Sequence, residues 1–299
     1  MKRLVILFVI LFMMTFMSAE RTYGEEEYDR TMRQDLLCFV MGYPGYILDI
    51  EKDSQGLVYV VMKSGKRIIY DDMRDKSISQ RLESADLQDT LKEVYPLGAM
   101  SVLMDENRDP GRYRCYEFLK EIYGGNRADI EKKLKSVSFV YESLLFNTVN
   151  GAATALENTG KTLMPLMNEP RISRAVYPGS GTYNYRVIAG TSHLSPHAYG
   201  IAIDLARDSR DYWQWAARED GQKRISVYPS EVVETFEKNG FIWGGKWWHF
   251  DILHFEYRPE ILLKAEYFST PSQGEWYVAV PMDQPDVKNW VEKINNALD

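Results

Sequence analysis

The sequence predicts a protein of the α+β class, in which strands and helices are mixed along the chain. Residues 46–70 combine strand-forming segments with Gly-containing turns, and the short segments 201–206 and 253–258 alternate apolar and polar side chains. Several other segments instead carry apolar residues at the spacing of a helix. The 299 residues are enough to bury a substantial core and to form one large or two small domains.

The N-terminal end has the pattern of a secretory signal. A basic start is followed by an apolar run over residues 4–17 and then by the small residues Ser18 and Ala19. This run is shorter than the roughly 20 residues that a membrane span needs. We therefore predict a signal peptide over residues 1–19, with an uncleaved membrane anchor as the alternative. Either would place the protein outside the cytoplasm, secreted or in the cell envelope.

Charge and cysteine content exclude some classes of function. The chain carries a net charge of −7 and shows no cluster of Lys and Arg, so we predict no nucleic-acid partner and expect a monomer. Cys38 and Cys115 are its two cysteines, and they form either one disulfide or two buried thiols. Neither lies in a Cys-x-x-Cys motif, which makes a thiolate metal site unlikely to be the basis of function.

The region 25–108 is predicted to contain a β-meander followed by a helix. Residues 20–35 are polar and charged, and we expect a loose lead-in there. Turn-forming residues separate three predicted strands, which are Tyr46–Ile50, Leu57–Met62 and Arg67–Tyr70. Leucines at roughly helical spacing follow in residues 78–95. This region has no histidine, and its role is either packing on the rest of the protein or holding a cell-wall ligand.

Asp109-Pro110-Gly111 is typical of a boundary, and we predict a second domain over residues 109–299. A loop is expected over residues 165–181, which are rich in Pro and Gly. Apolar spacing predicts helices in this part of the chain at Tyr116–Tyr123, 128–134, 137–157, 231–239 and 283–298.

All four histidines lie between positions 193 and 254, on two short segments. The first segment contains His193 and His197, and the second contains His249 and His254; each segment also carries Asp residues. Neutral imidazole is the commonest protein ligand of transition metals. The clustering therefore predicts a metal site built from two distant pieces of chain.

Three of these residues suit a catalytic zinc ion, which takes three protein ligands and keeps a fourth position for water. His197 and Asp204 are separated by Gly200, where a tight turn can bring a loop His and a strand Asp to one point. His254, on a neighbouring strand, would complete the set. A zinc-bound water has a pKa of about 7, and the metal also polarises a carbonyl group.

A zinc-bound water also needs a base, and the residues alone leave two candidates. Asp251 points away from His254 in an extended chain, so it serves only if the chain bends between them. Glu256 shares a face with His254, but a strand neighbour two residues on is about 6–7 Å away.

At this point two motifs resemble those of a known family. Ser195-x-His197-x-x-Gly200-x-Ala202-x-Asp204 is similar to the signature of the M15 metallopeptidases, the VanY-like D-alanyl-D-alanine carboxypeptidases. The Trp-Gly-Gly-x-Trp sequence at 243–247 and the following Asp-x-x-His-Phe-Glu resemble that family's closing motif. The resemblance covers roughly residues 150–265, with both motifs in the family's order and spacing.

The resemblance implies a set of roles. His197, Asp204 and His254 would be the zinc ligands, and Asp251 would be the general base, where many members carry Glu. Arg186, in a predicted strand over residues 185–191, would bind substrate and polarise its carbonyl. The implied fold is the small α+β fold shared with lysostaphin-type enzymes and the Hedgehog signalling domain. Its central antiparallel sheet carries the ligands and is flanked by helices.

The remaining candidates surround this set. Ser195 is a candidate for orienting the His197 loop or for contacting substrate, and Trp248 for lining the substrate pocket. His193 and His249 are expected to line the cleft and contact substrate. Glu256 is expected beside the ligands, hydrogen-bonded to one of them or held in an ion pair.

The function predicted from these residues is hydrolysis of bacterial cell-wall stem peptides, with removal of the terminal D-alanine as the preferred reaction. An endopeptidase that cuts L-Ala-D-Glu or a crossbridge is the first alternative. A zinc-stabilised wall-binding domain without catalysis is an alternative of another class. No Gly-x-Ser-x-Gly motif is present, which disfavours a serine hydrolase.

Overall fold

The computed structural model describes residues 24–299, so the predicted signal peptide lies outside the described residues. The strands are β1 Ile47–Lys52, β2 Val58–Met62, β3 Arg67–Ile69, β4 Leu134–Phe139, β5 Glu142–Asn147, β6 Ala202–Asp204, β7 Phe241–Trp243 and β8 His254–Tyr257. The α-helices are α1 24–42, α2 Ile78–Ser84, α3 Leu87–Leu91, α4 Tyr116–Tyr123, α5 Arg127–Glu131, α6 Ala152–Leu163, α7 Pro170–Val176, α8 Pro196–Tyr199, α9 Arg218–Ile225, α10 Ser230–Lys238, α11 Pro259–Phe268 and α12 Pro285–Leu298. The α+β class is confirmed.

The strands form small antiparallel sheets. β1, β2 and β3 pair in chain order and confirm the predicted β-meander. β4 and β5 form a hairpin. In the third sheet β8 lies between β6 and β7, so a late strand of the chain joins two earlier ones. This third sheet carries Asp204 on β6 and His254 on β8.

The expectation of a loose lead-in at residues 20–35 is wrong, because helix α1 begins by residue 24 and runs to residue 42. Leu36 and Leu37 are fully buried, and Phe39 nearly so, which gives the helix an apolar face despite its polar start. The Tyr43 hydroxyl donates a hydrogen bond of 2.8 Å to Glu260, at the start of α11. Helix α1 is therefore part of the core.

The helix predicted over residues 78–95 is two helices, because a second cap interrupts it. Ser77 caps α2, and Asp86 caps α3 by accepting a hydrogen bond from the Asp89 backbone N–H. The Asp86 carboxylate accepts a hydrogen bond from a free N–H group in the first turn of α3. Such a cap favours a second helix that begins here over one continuous helix.

The helix predicted over residues 137–157 is wrong over its first half, where the chain forms the β4–β5 hairpin. Val137 and Phe139 are buried and Ser138 between them is exposed, which is the alternation of a half-buried strand. The helix also runs past its predicted end at residue 157, since Gly160 lies inside α6. A Cβ at Gly160 would lie 3.0 Å from the Cα of Phe139, so glycine permits close packing of α6 on β4.

The loop expected over residues 165–181 contains helix α7. Pro170 is the first residue of α7, where a backbone N–H would have no partner within the helix, so proline costs no hydrogen bond. The buried residues of α7 are Ile172, Ala175 and Val176. The remaining predicted helices are confirmed as α4, α5, α10 and α12, with ends shifted by a few residues at most. The last helix, α12, contributes Val287, Val291, Ile294 and Leu298 to the core.

One hydrophobic core extends through both predicted regions. It includes residues of α1 and the β-meander as well as residues of the third sheet, such as Trp243 and Phe255. Cys38 and Cys115 belong to this core as free thiols. Of the two alternatives, one disulfide or two buried thiols, the structure therefore has the buried thiols. Among residues 24–299, no helix has both the length and the apolar character needed to span a membrane.

Candidate metal centre

Three side chains from two distant segments meet at one point, and we call them the triad: His197, Asp204 and His254. His197 Nε2 lies 3.2 Å from His254 Nδ1 and 3.2 Å from Asp204 Oδ1. His254 Nδ1 lies 3.0 Å from the same Asp204 oxygen. These are the three residues that the sequence predicted as ligands.

A single helical turn, α8, places His197. Ser195 caps this turn by accepting a hydrogen bond from the His197 backbone N–H, and Pro196 is its first residue. Gly200 ends it with a φ of +69°, where a Cβ would lie 2.6 Å from the Leu134 side chain. The His197 Nδ1–H donates to the Thr182 carbonyl at 2.6 Å, which leaves Nε2 free to face the triad.

Strand pairing places the other two residues. Asp204 on β6 is the direct partner of His254 on the antiparallel strand β8. Partners in such a ladder have their side chains close together on one face. His254 turns Nδ1 toward Asp204 and Nε2 toward Glu256, whose Oε2 lies 3.8 Å away. The two histidines therefore present different nitrogens to the centre.

The electrostatics of the triad favour a cation. Burial lowers the pKa of His254, but the hydrogen bond to Asp204 and the nearby Glu256 and Asp251 carboxylates outweigh it and raise the pKa to about 10. Burial raises the pKa of Asp204, yet its hydrogen bonds to the two histidines hold it well below the usual range. Without a metal, His254 therefore stays protonated at neutral pH and Asp204 stays ionised.

The donor atoms fit a tetrahedral metal such as zinc. Two imidazole nitrogens and one carboxylate oxygen are ligands that zinc prefers, at bond lengths of about 2.0–2.2 Å. Ligand atoms at the corners of such a tetrahedron lie about 3.3–3.6 Å apart. The three separations here are 3.0–3.2 Å, slightly shorter than that range.

Glu256 is held by two buried arginines. Arg114 Nη2 donates to its Oε2 at 2.6 Å, and Arg258 Nη1 donates to its Oε1 at 3.3 Å. Burial raises the pKa of Glu256, but the Arg114 charge and the neighbouring hydrogen bonds lower it well below its usual range. A carboxylate so engaged is a poor proton acceptor, which argues against Glu256 as the base.

Asp251 reaches the triad because the chain bends after it. The His254 backbone N–H donates to the Asp251 carbonyl at 3.1 Å, so residues 251–254 form a turn. This is the bend that the sequence required for Asp251. Burial raises the pKa of its carboxyl to about 7, with the charges of His254 and His197 opposing and that of Asp204 adding to the shift.

Arg186 lies outside the triad, on an exposed loop. Only an isolated bridge between Val187 and Leu194 forms where a strand over residues 185–191 was predicted, so that prediction is wrong. Tyr212 bridges to Asp251 through the backbone and is half-buried. Burial and the Asp251 charge raise the pKa of its hydroxyl, while the charges of Arg112 and Arg186 lower it. The charges of Asp251, Arg112 and Arg186 therefore all act on the Tyr212 hydroxyl.

The other two histidines are not in the triad. His193 stacks on Tyr116 with ring centres 4.0 Å apart, and its Nε2 lies 3.2 Å from Glu83. The His249 Nδ1–H donates to Asp109 at 2.6 Å, and its ring packs against Trp213 and against its neighbour Trp248. Contacts of Ser195, His193, His249 and Trp248 with substrate stay predictions.

Sequence reasoning missed several residues of this neighbourhood, chiefly Asp109, Arg112, Arg114 and Tyr212. Asp109 was interpreted as part of a domain boundary, yet it is fully buried against His249. Arg114 carried no sequence signal, because its partner Glu256 lies 142 positions away. The division at residue 109 stays a prediction.

One comparison with known proteins produced a match. A family model of the M15 peptidases, described as D-alanyl-D-alanine carboxypeptidase, matches residues 189–257. This segment contains the triad together with Asp251 and Glu256, and it supports a peptidase. Arg114 and Arg186 lie before it. No curated protein and no solved structure matched the chain.

Proposed function

We propose that this protein is a zinc-dependent D-alanyl-D-alanine carboxypeptidase that removes the terminal D-alanine from cell-wall stem peptides. The observation that carries the proposal is the convergence of the triad within a segment similar to M15 peptidases, with Asp251 beside it. The predicted signal peptide supports an extracytoplasmic location, secreted or in the cell envelope, where such substrates occur. The relation to the lysostaphin and Hedgehog fold is part of this proposal.

The roles follow from the chemistry of each side chain. His197, Asp204 and His254 would hold the zinc ion. When bound, zinc would lower the pKa of a water molecule and polarise the scissile carbonyl. Asp251 takes the proton from the attacking water and passes it to the leaving amine. Its near-neutral pKa suits both transfers, since a group with a pKa near the working pH accepts and donates with similar ease.

The positive charges beside Asp251 support an exopeptidase over an endopeptidase. A carboxypeptidase must bind a free carboxylate next to the scissile bond, whereas an endopeptidase meets a continuing chain there. The charges of Arg186 and Arg112 both act on the Tyr212 hydroxyl, and Tyr212 pairs with Asp251 through the backbone. Guanidinium groups are suited to carboxylate recognition, so we assign the terminal carboxylate to this side of the site.

A digest of purified muropeptides tests the proposal. The zinc-loaded protein is expected to shorten pentapeptide stems by one D-alanine, read by mass spectrometry, and to leave tetrapeptide stems intact. Products cut between L-Ala and D-Glu, or within a crossbridge, would replace the carboxypeptidase by an endopeptidase. Zinc binding with no hydrolysis of any muropeptide would favour the non-catalytic wall-binding domain.

Zinc binding is expected to release at least one proton at pH 7, because metal ligands must be deprotonated and metal-free His254 has a pKa of about 10. Zinc affinity should therefore rise with pH until that pKa is passed. Calorimetric titration with zinc in two buffers of different ionisation enthalpy measures the number of protons released. A titration with no proton release at pH 7 would contradict a protonated His254.

A further inference from the structure

We infer that Arg114 is a positioning residue of the zinc site, although it lies outside the segment that resembles peptidases. It acts through Glu256 on His254. The inference rests on the proposed zinc site but goes beyond it, because it makes the chain around residues 109–115 part of the metal centre.

The contact between Arg114 and Glu256 has the form of a strong ion pair. Arg114 Nε lies 3.0 Å and 3.1 Å from the two Glu256 oxygens, and Nη2 lies 2.6 Å from Oε2. The Arg114 side chain is 7% exposed and that of Glu256 is fully buried. A guanidinium that engages both oxygens fixes the carboxylate plane as well as its charge.

Glu256 in turn faces the His254 nitrogen that does not point to the triad. Its Oε2, the oxygen that receives the shortest Arg114 bond, lies 3.8 Å from His254 Nε2, which is an ion-pair contact rather than a direct hydrogen bond and leaves the carboxylate to act on the ring through its charge. A carboxylate on the far nitrogen of a metal-binding histidine fixes its tautomer and ring orientation and increases its strength as a ligand. Losing such a partner typically weakens metal binding by about 10–100-fold.

Arg114 is the main anchor of this carboxylate. Arg258 also contacts Glu256, but at 3.3 Å and through one oxygen, and its shorter bond of 2.6 Å goes to Glu260. The Arg114 Nη1 donates to the Arg112 carbonyl at 2.9 Å, which holds the guanidinium in place from its own segment. Without Arg114, Glu256 would keep only the longer contact and lose its fixed orientation.

Zinc affinity, measured by competition with a chromogenic chelator, tests the inference. Arg114→Gln is expected to weaken zinc binding by about 10–100-fold. Arg114→Lys keeps the charge but cannot contact both carboxylate oxygens in the same way, so it should weaken zinc binding by less. The visible spectrum of the cobalt-substituted protein should change in Arg114→Gln. The matched control is Arg67→Gln, which removes an exposed arginine paired with Glu51 and should leave zinc binding unchanged.

The outcomes separate the inference from the proposed function. A wild-type protein that binds no zinc would overturn the zinc site itself. If the wild type binds zinc and Arg114→Gln, folded by circular dichroism, binds it equally well with the same cobalt spectrum, the positioning role is wrong. If Arg114→Gln does not fold, Arg114→Lys decides: weaker zinc binding supports the role, and wild-type binding overturns it.

Discussion

Replacing Asp251 with asparagine is expected to lower kcat/KM on a D-alanyl-D-alanine stem peptide by about 10²–10⁴-fold, the usual contribution of a general acid or base. Asparagine keeps the shape of the side chain but cannot accept the proton of the attacking water. Asp251 is not one of the three triad residues, so zinc content should be unchanged. Steady-state kinetics and metal analysis of the same preparation measure both quantities.

The matched control for this substitution is Asp220→Asn. Asp220 is an exposed carboxylate at the start of α9, paired with Lys223. Its replacement should leave both kcat/KM and zinc content unchanged. Near-normal turnover in Asp251→Asn would eliminate Asp251 as the base. Loss of zinc together with activity would instead give Asp251 a place in metal binding.

Substitution of the histidines one at a time is expected to divide them into two pairs. His197→Gln and His254→Gln each remove one of three ligands, so zinc affinity should fall by more than the roughly 100-fold that loss of a supporting carboxylate costs. Hydrolysis should fall with it. His193→Gln and His249→Gln should retain zinc, since neither residue lies in the triad.

Equilibrium zinc binding of the four variants checks this division, with circular dichroism to confirm that each is folded. Strong zinc binding by His254→Gln would refute the triad as the metal site. Loss of zinc in His193→Gln would show that the metal lies closer to Tyr116 and Glu83 than the distances indicate.

The two motifs that carry the candidate ligands were predictable because the signal within each motif is local. His197, Gly200 and Asp204 lie within eight positions, and a turn that needs a positive φ at Gly200 brings them together. The bend that Asp251 requires is likewise a turn of four residues. Short-range geometry of this kind is encoded in residue type and spacing, without knowledge of distant partners.

The errors arose where distant partners decide the structure. Residues 134–147 form a hairpin although apolar residues at helical spacing suggested a helix, because pairing of Val137 with Leu144 and packing on α6 outweigh local preference. Helix α1 looked like a loose segment because its first turns are polar. Its buried face is apparent only against α11, where Tyr43 meets Glu260.

The sequence alone thus predicted the α+β class, the three candidate ligands and, through the family resemblance, the acidic residue Asp251, because the two motifs that carry them are short. The tertiary structure decided that Cys38 and Cys115 remain free thiols, that Asp109 partners His249, and that Arg114 supports Glu256. The last two contacts join residues more than a hundred positions apart. They depend on how the whole core packs, and no local pattern of residue types specifies them.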